Sequence, residues 1–193
     1  MDAGLEAGLE PVEVLVAGEN VEPALLAEVS ALAHPPRVLG VFRREDLPSG
    51  PLPDVGLALW RVADPGNVGT LVRSADALGP AYVGLSGDSA DPTGPKALRA
   101  SMGALFRVPV IAFDDAPGRR VALVTQGGKP LKDIDLEGQT VFVLGAERDG
   151  LPEDVLARCD ERATIPLSAV ANSLNVGTAG AIALYEVSQR NRS

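Results

Sequence analysis

The chain has 193 residues, 46% of them hydrophobic and 22% charged, with a formal net charge of −9. That length suits one domain, or one domain and a fragment, with a sizeable buried core. No stretch approaches the ~18 uninterrupted apolar residues of a membrane span. The acidic start MDAGLEAGLEPVEV lacks the basic-then-apolar order of a signal peptide, and Cys159 has no second cysteine to pair with. These features point to a cytoplasmic protein.

His34 is the only histidine, in the turn-like stretch AHPPR. A zinc site of the usual His/Cys type is therefore excluded, and any chemistry must run without imidazole. No metal is expected. The acidic balance argues against nucleic acid, but it is uneven. Residues 1–60 hold 10 acidic and 3 basic residues, leaving 16 and 14 in residues 61–193. The larger part is nearly neutral and has room for a local basic patch.

In chain order, apolar β-branched runs predict strands at 12–16, 37–42, 55–62, 81–86, 105–113, 120–126, 140–145 and 163–167. Helical patterns fall at 22–33, 67–79, 94–103, 152–158 and 172–189. Strands alternating with helices indicate an α/β fold with a mostly parallel sheet and helices on both faces. The polar, Pro-rich stretch 43–54 reads as a linker between a small acidic N-terminal piece and a body of doubly wound size.

Three stretches have the makings of a site. In DPGNVGTLVRSADALG (64–79), directly after a strand, a helical wheel groups Val68, Leu71, Val72, Ala75 and Leu78 on one face. Gly69, Arg73 and Asp76 fall on the other, so a cation projects where open α/β sheets bind ligands. Taken alone, the stretch is better explained by a solvated face with an Arg–Asp pair. In VFVLGAERDGLPEDV (141–155) a buried strand runs into Gly145, Glu147 and Gly150. It is neither a dinucleotide fingerprint nor a P-loop, and by itself an ordinary strand-to-helix turn accounts for it. In TIPLSAVANSLNVGTAGAIALYE, Asn172 or Ser173 is placed to cap a helix. Gly177, Ala179, Gly180, Ala181 and Ala183 keep that helix thin for close packing. A core helix explains the small residues but not Ser173 and Asn175 ahead of them.

Taken together and in order, the three stretches resemble the signature motifs of the SpoU-type (TrmH-like) branch of the SPOUT RNA methyltransferases. Asn67, Gly69 and Arg73 match the first motif and Gly145, Glu147 and Gly150 the second. Ile165, Pro166, Ser173, Leu174, Asn175 and Val176 match the third, and LRASMGALFRVPV (98–110) is similar to a further family segment. The likeness spans about residues 55–190. It implies a catalytic domain over 55–193 whose C-terminal part forms a trefoil knot, an exception to the rule against threaded chains. It also implies a homodimer and transfer of the S-adenosylmethionine (AdoMet) methyl group to a ribose 2′-hydroxyl of ribosomal RNA or tRNA. Residues 1–50 resemble only the later portion of an L30e-like RNA-binding domain.

Carried over residue by residue, the resemblance implies AdoMet contacts at Thr125, Gln126, Gly127, Leu144, Gly145, Ile165, Leu167 and Leu174. It casts Arg73 as the catalytic residue, with Asn67, Glu147, Ser173 and Asn175 holding it and the ribose. A guanidinium stays protonated in proteins, so the role expected of Arg73 is to grip an RNA phosphate and stabilise the developing alkoxide. Lys96, Arg99 and Arg107 are further candidates for phosphate contacts. The alternative is a module of the same fold that binds AdoMet and RNA without methylating.

Overall fold

The computed structural model describes residues 1–30, 34–168 and 173–190. In chain order its elements begin with α1 (Asp2–Glu6), β1 (Glu13–Val16), α2 (Pro23–Ser30) and β2 (Val38–Val41). The body follows with β3 (Val55–Leu59), α3 (Pro65–Leu78), β4 (Tyr82–Leu85), α4 (Pro95–Ser101), β5 (Val110–Ala112) and β6 (Arg119–Leu123). It closes with β7 (Lys129–Pro130), β8 (Thr140–Leu144), α5 (Glu153–Leu156), β9 (Glu161–Thr164) and α6 (Val176–Arg190).

Strands β1 and β2 form an antiparallel pair of their own. The other seven make one sheet in the order β5-β4-β3-β8-β6-β9-β7, with every pairing parallel. The central strands are apolar almost throughout because both faces are covered. Alternate residues serve opposite faces: Leu57, Leu59, Phe142 and Leu144 pack into the larger core with Leu71 and Leu184. Ala58, Val141 and Val143 join a second cluster with Tyr82, Phe113 and Val155. Each fully buried Leu or Phe in these layers contributes about 1.5–3 kcal/mol of transfer free energy.

Several expectations shift in detail. The strand expected over 105–113 breaks into a 3₁₀ turn, Ala104–Phe106, and the short β5. Pro109 lacks an N–H to continue a ladder, though its carbonyl still accepts from Val83 N at 3.0 Å. The strand expected at 163–167 moves back to β9, ahead of Pro166. Part of the expected helix 22–33 lies outside the described residues, which omit 31–33. Helix α1 and strand β7 are too short to leave a periodic pattern. The stretch read as a linker carries a 3₁₀ turn at Arg44–Asp46, tied to the body where Arg44 pairs with Asp91 at 2.9 Å. The N-terminal piece also touches the body through Phe42 and Phe106, whose ring centroids are 5.1 Å apart.

Glycines permit two close helix contacts. Gly69 does not share an open face with Arg73 as the helical wheel suggested. It is buried against α4, where an added Cβ would lie 2.3 Å from the Ala97 carbonyl oxygen. Gly180 lets α6 lie on α3, where a Cβ would meet Leu71 Cδ2 at 2.2 Å. Gly180 therefore serves packing within the chain. The loop ahead of α6, through which the expected knot would thread, includes residues 169–172 outside the described set.

Alanine usually stabilises a helix relative to glycine, but Gly69→Ala should do the reverse. Overpacking costs about 1–3 kcal/mol, and at ~2–4 °C per kcal/mol thermal unfolding should show a clear fall. Gly87→Ala, where nothing lies within 4 Å of the new Cβ, should change little.

Candidate functional site

A cleft of about 480 Å³ opens at the C-terminal ends of β6, β8 and β9. In the sheet, β8 is the neighbour of β3 on the side away from β4. Successive strands therefore run one way from β3 and then resume on its other side, which is where open α/β sheets bind ligands. Leu123, Leu144, Ile165, Leu167, Leu174 and Val176 give the cleft an aliphatic wall. Gly145 permits its floor: a Cβ there would sit 2.2 Å from the Gly150 carbonyl carbon. Gly150, at φ +65, closes the turn that returns the chain, with its N–H donating to Ala146 O at 2.9 Å.

The three motif stretches meet beside this cleft through a chain of hydrogen bonds; Glu147 lines the cleft, while Asn67 and Asn175 do not. Helix α3 starts on Asp64, whose carboxylate accepts from Gly66 N at 2.9 Å and from Lys96 Nζ at 2.6 Å. That start places Asn67 in the first turn. Its amide nitrogen donates to Glu147 Oε1. Its amide oxygen accepts from Asn175 Nδ2 at 3.1 Å. Asn175 Oδ1 in turn accepts from Gly177 N at 2.8 Å and Thr178 N at 3.3 Å. Asn175 is therefore the cap of α6, in place of the expected Asn172 or Ser173. Asn172 lies outside the described residues, while Ser173 lines the cleft instead. The relay reads carboxylate, amide, amide, helix N-terminus, and each amide is oriented by both of its neighbours.

Of the expected cofactor contacts, Thr125, Leu144, Gly145, Ile165, Leu167 and Leu174 line the cleft. Gln126 and Gly127 stand on the same loop as Thr125 but outside the lining. The cleft also takes in Arg148, Asp149 and Leu151, which the sequence reading passed over. Arg148 and Asp149 occupy the unspecified positions of Gly-x-Glu-x-x-Gly, so pattern alone had no means of selecting them.

Arg73 is exposed on α3 and does not line the cleft. It lies six residues beyond Asn67, about 9 Å along the axis at ~1.5 Å per residue and about 120° around the helix. It makes no ion pair among the described residues. Lys96 is held by Asp64, and Arg107 is paired with Asp76, Nη2 to Oδ2 at 2.6 Å and Nε to Oδ1 at 3.1 Å. The Arg–Asp pair anticipated on α3 therefore forms with Arg107. Arg99 is exposed and without an ion pair among the described residues.

A second hollow of about 500 Å³ lies between residues 44–49 and β5; it takes in Leu105, Val108 and Val110 of the segment 98–110 but no residue of the three motif stretches. No helix among the described residues is long and apolar enough to cross a membrane.

Comparison with known proteins places these features in context. The SpoU rRNA Methylase family profile matches residues 54–185. A 23S rRNA (uridine(2479)-2′-O)-methyltransferase from Streptomyces viridochromogenes is 33% identical over 184 residues, covering 85% of this chain and 64% of that protein. An uncharacterized tRNA/rRNA methyltransferase from Synechocystis sp. is also 33% identical, covering 89% of this chain and 65% of that protein. The chain thus spans less than two thirds of the length of these relatives. The crystal structure of the SpoU methyltransferase AviRb from Streptomyces viridochromogenes, in complex with AdoMet, superimposes with a TM-score of 0.83 at 27% identity. That alignment covers 100% of this chain and 87% of that one.

Two outcomes are expected from the local contacts. Asn175→Ala removes the cap and unhooks Asn67, and should cost about 1–2 kcal/mol in denaturant or thermal unfolding; Asn175→Ser, which keeps a capping oxygen, should recover most of it. The Lys96 hydrogen bond, followed by that from Gly66 N, holds the Asp64 carboxyl below its ordinary range. The stability it adds is present above the unfolded carboxylate's pKa and is lost as pH falls through the lowered folded value. Asp64→Asn should therefore flatten the acid limb of a plot of stability against pH.

Proposed function

The chain belongs to the SpoU rRNA methylase family, and on that premise we propose that it transfers the methyl group of AdoMet to a ribose 2′-hydroxyl of RNA, ribosomal RNA in the first instance. The observation that carries this reading is the relay from Glu147 through Asn67 to Asn175 beside an aliphatic cleft. Ribosomal RNA is favoured over tRNA by the activity named for the Streptomyces relative. A module that binds without methylating would have no need of three distant polar side chains held in one orientation.

The cleft suits AdoMet. Its 480 Å³ lies within the roughly 300–1,000 Å³ of small-molecule sites. Ile165, Leu167 and Leu174 offer an apolar slot for a flat base, and the close approach at Gly145 leaves backbone groups free to read its edge. When bound, AdoMet supplies an electrophilic methyl carbon that needs no further activation. The protein's task is then to align the ribose, exclude competing orientations and stabilise the oxygen as its proton passes to solvent water, the transfer leaving an O-methyl ribose and S-adenosylhomocysteine. Asn67 and Asn175 would hold the ribose, with Ser173 facing it from the cleft lining and Glu147 fixing the Asn67 amide.

Arg73 is exposed and does not line the cleft of its own chain, which supports a homodimer in which Arg73 of the partner subunit reaches this cleft. There it would grip the phosphate beside the target ribose; as a permanent cation it favours the developing alkoxide without acting as a base. The exposed Tyr185 on α6 gives the same helical layer an apolar surface to pair. In this reading residues 55–193 form the transferase body, threaded as a trefoil knot, residues 1–50 form an accessory RNA-binding lobe of L30e-like type, and the RNA substrate sets the work in the cytoplasm.

Labelled methyl transfer to ribosomal RNA, followed by mapping of the modified nucleotide, tests the activity. Arg73→Ala should keep AdoMet affinity within about twofold while transfer falls by about 10²-fold or more, the scale of losing one stabilising donor; undiminished transfer would dismiss the role. Mixing Arg73→Ala with Gly145→Val subunits should restore transfer if Arg73 acts across the interface, and should restore none if each chain works alone.

A further inference from the structure

The charges lining the cleft support a more specific statement, which rests on AdoMet as the occupant. Among the described residues that line it, Arg148 is the only cation, and Glu147 and Asp149 are the acids. Glu147 is engaged by Asn67. Arg148 makes no ion pair among the described residues, although a carboxylate flanks it on each side in sequence. Most other arginines of the body do pair, including Arg107 with Asp76, Arg119 with Glu161 and Arg158 with Asp114.

The turn that presents Arg148 is well fixed. Ala146 and Gly150 bridge one another across it, and Gly145 packs directly on Gly150. Arg148 therefore sits near the tip of a short braced loop. The occupant's own charges run along its length. One end is a flat nucleoside, matched by Ile165, Leu167 and Leu174. The other is an amino acid with an α-carboxylate. On that reading the methyl group between them faces the Asn67–Asn175 side, and the amino-acid end is assigned to the adjoining loop 146–150, whose Glu147 accepts from Asn67. A carboxylate brought into a partly apolar cleft needs a cation or several donors, and a guanidinium fork matches it in shape.

We propose that Arg148 binds the α-carboxylate of the methionine moiety of AdoMet, and so sets cofactor affinity and selects ligands that retain the amino acid. Calorimetric titration of the full chain tests this with three ligands: AdoMet, S-adenosylhomocysteine, and 5′-methylthioadenosine, which has no amino-acid portion. Arg148→Gln should weaken the first two by about tenfold, within the range of charge-assisted hydrogen bonds, and leave 5′-methylthioadenosine within about twofold. Arg148→Lys should recover part of the loss, with unfolding temperatures unchanged throughout.

Unaltered AdoMet affinity in Arg148→Gln would overturn the proposal, as would equal weakening of all three ligands. Intact AdoMet affinity combined with weaker binding of ribosomal RNA fragments would reassign Arg148 to a phosphate and overturn it too. A wild-type chain that binds none of the three would overturn the AdoMet reading together with this inference, whereas the preceding outcomes remove this inference alone.

Discussion

The Asn67 side chain joins parts of the chain that are far apart in sequence. It donates to Glu147 and accepts from Asn175, and Asn175 caps the last helix. Remove the amide and three elements lose their common reference: the start of α3, the turn after β8 and the start of α6. An amide gives and accepts on its two ends at once; a carboxylate here would face Glu147 with like charge, and an alkyl group would leave two polar neighbours unpaired. The same constraint that orders the site also determines where α6 begins.

Close backbone packing makes that junction possible. α6 reaches Asn67 because Gly180 allows it to lie on Leu71, and α3 is in turn held against α4 through Gly69. The floor of the cleft depends on Gly145 touching Gly150. On the opposite face of the sheet, Tyr82 is packed over Gly56 and donates its hydroxyl to Pro117 O at 2.6 Å. Burial pushes that phenol up to about 12, so it stays neutral and serves packing. One face is thus given to structural layers while the strand ends carry the polar chemistry.

Charge is distributed in the same selective manner. The chain is acidic overall, and its N-terminal lobe most of all, yet many cations of the body are taken up by nearby carboxylates. Arg73, Arg99 and Arg148 have no ion pair among the described residues; Lys132 and Arg120 have none either, and Arg120 instead donates to the Phe113 carbonyl at 3.2 Å. Surface pairs such as those of Lys96 and Arg107 are worth little, so these cations can be released to a phosphate at small cost, whereas the unpaired ones need no release in the proposed reaction. Net charge therefore says little about partners here; what counts is which guanidinium groups are already occupied.

Much of this was legible in the sequence. Alternating strands and helices marked a parallel α/β sheet, because β-branched runs and 3.6-residue periods reflect local burial. The ordered motifs Asn67–Arg73, Gly145–Gly150 and Ser173–Val176 marked the family and, in outline, the cleft. Other features depend on contacts that no local pattern encodes. The cap of α6 fell on Asn175 because that side chain also had to meet Asn67, 108 residues away. Gly69 turned inward because α4 folds over it, and Arg107 rather than Arg73 took Asp76. Arg148 entered the cleft only when the turn between Ala146 and Gly150 closed. Periodicity records which face of an element is buried; which neighbour buries it, and which charge finds a partner, is decided when distant segments pack.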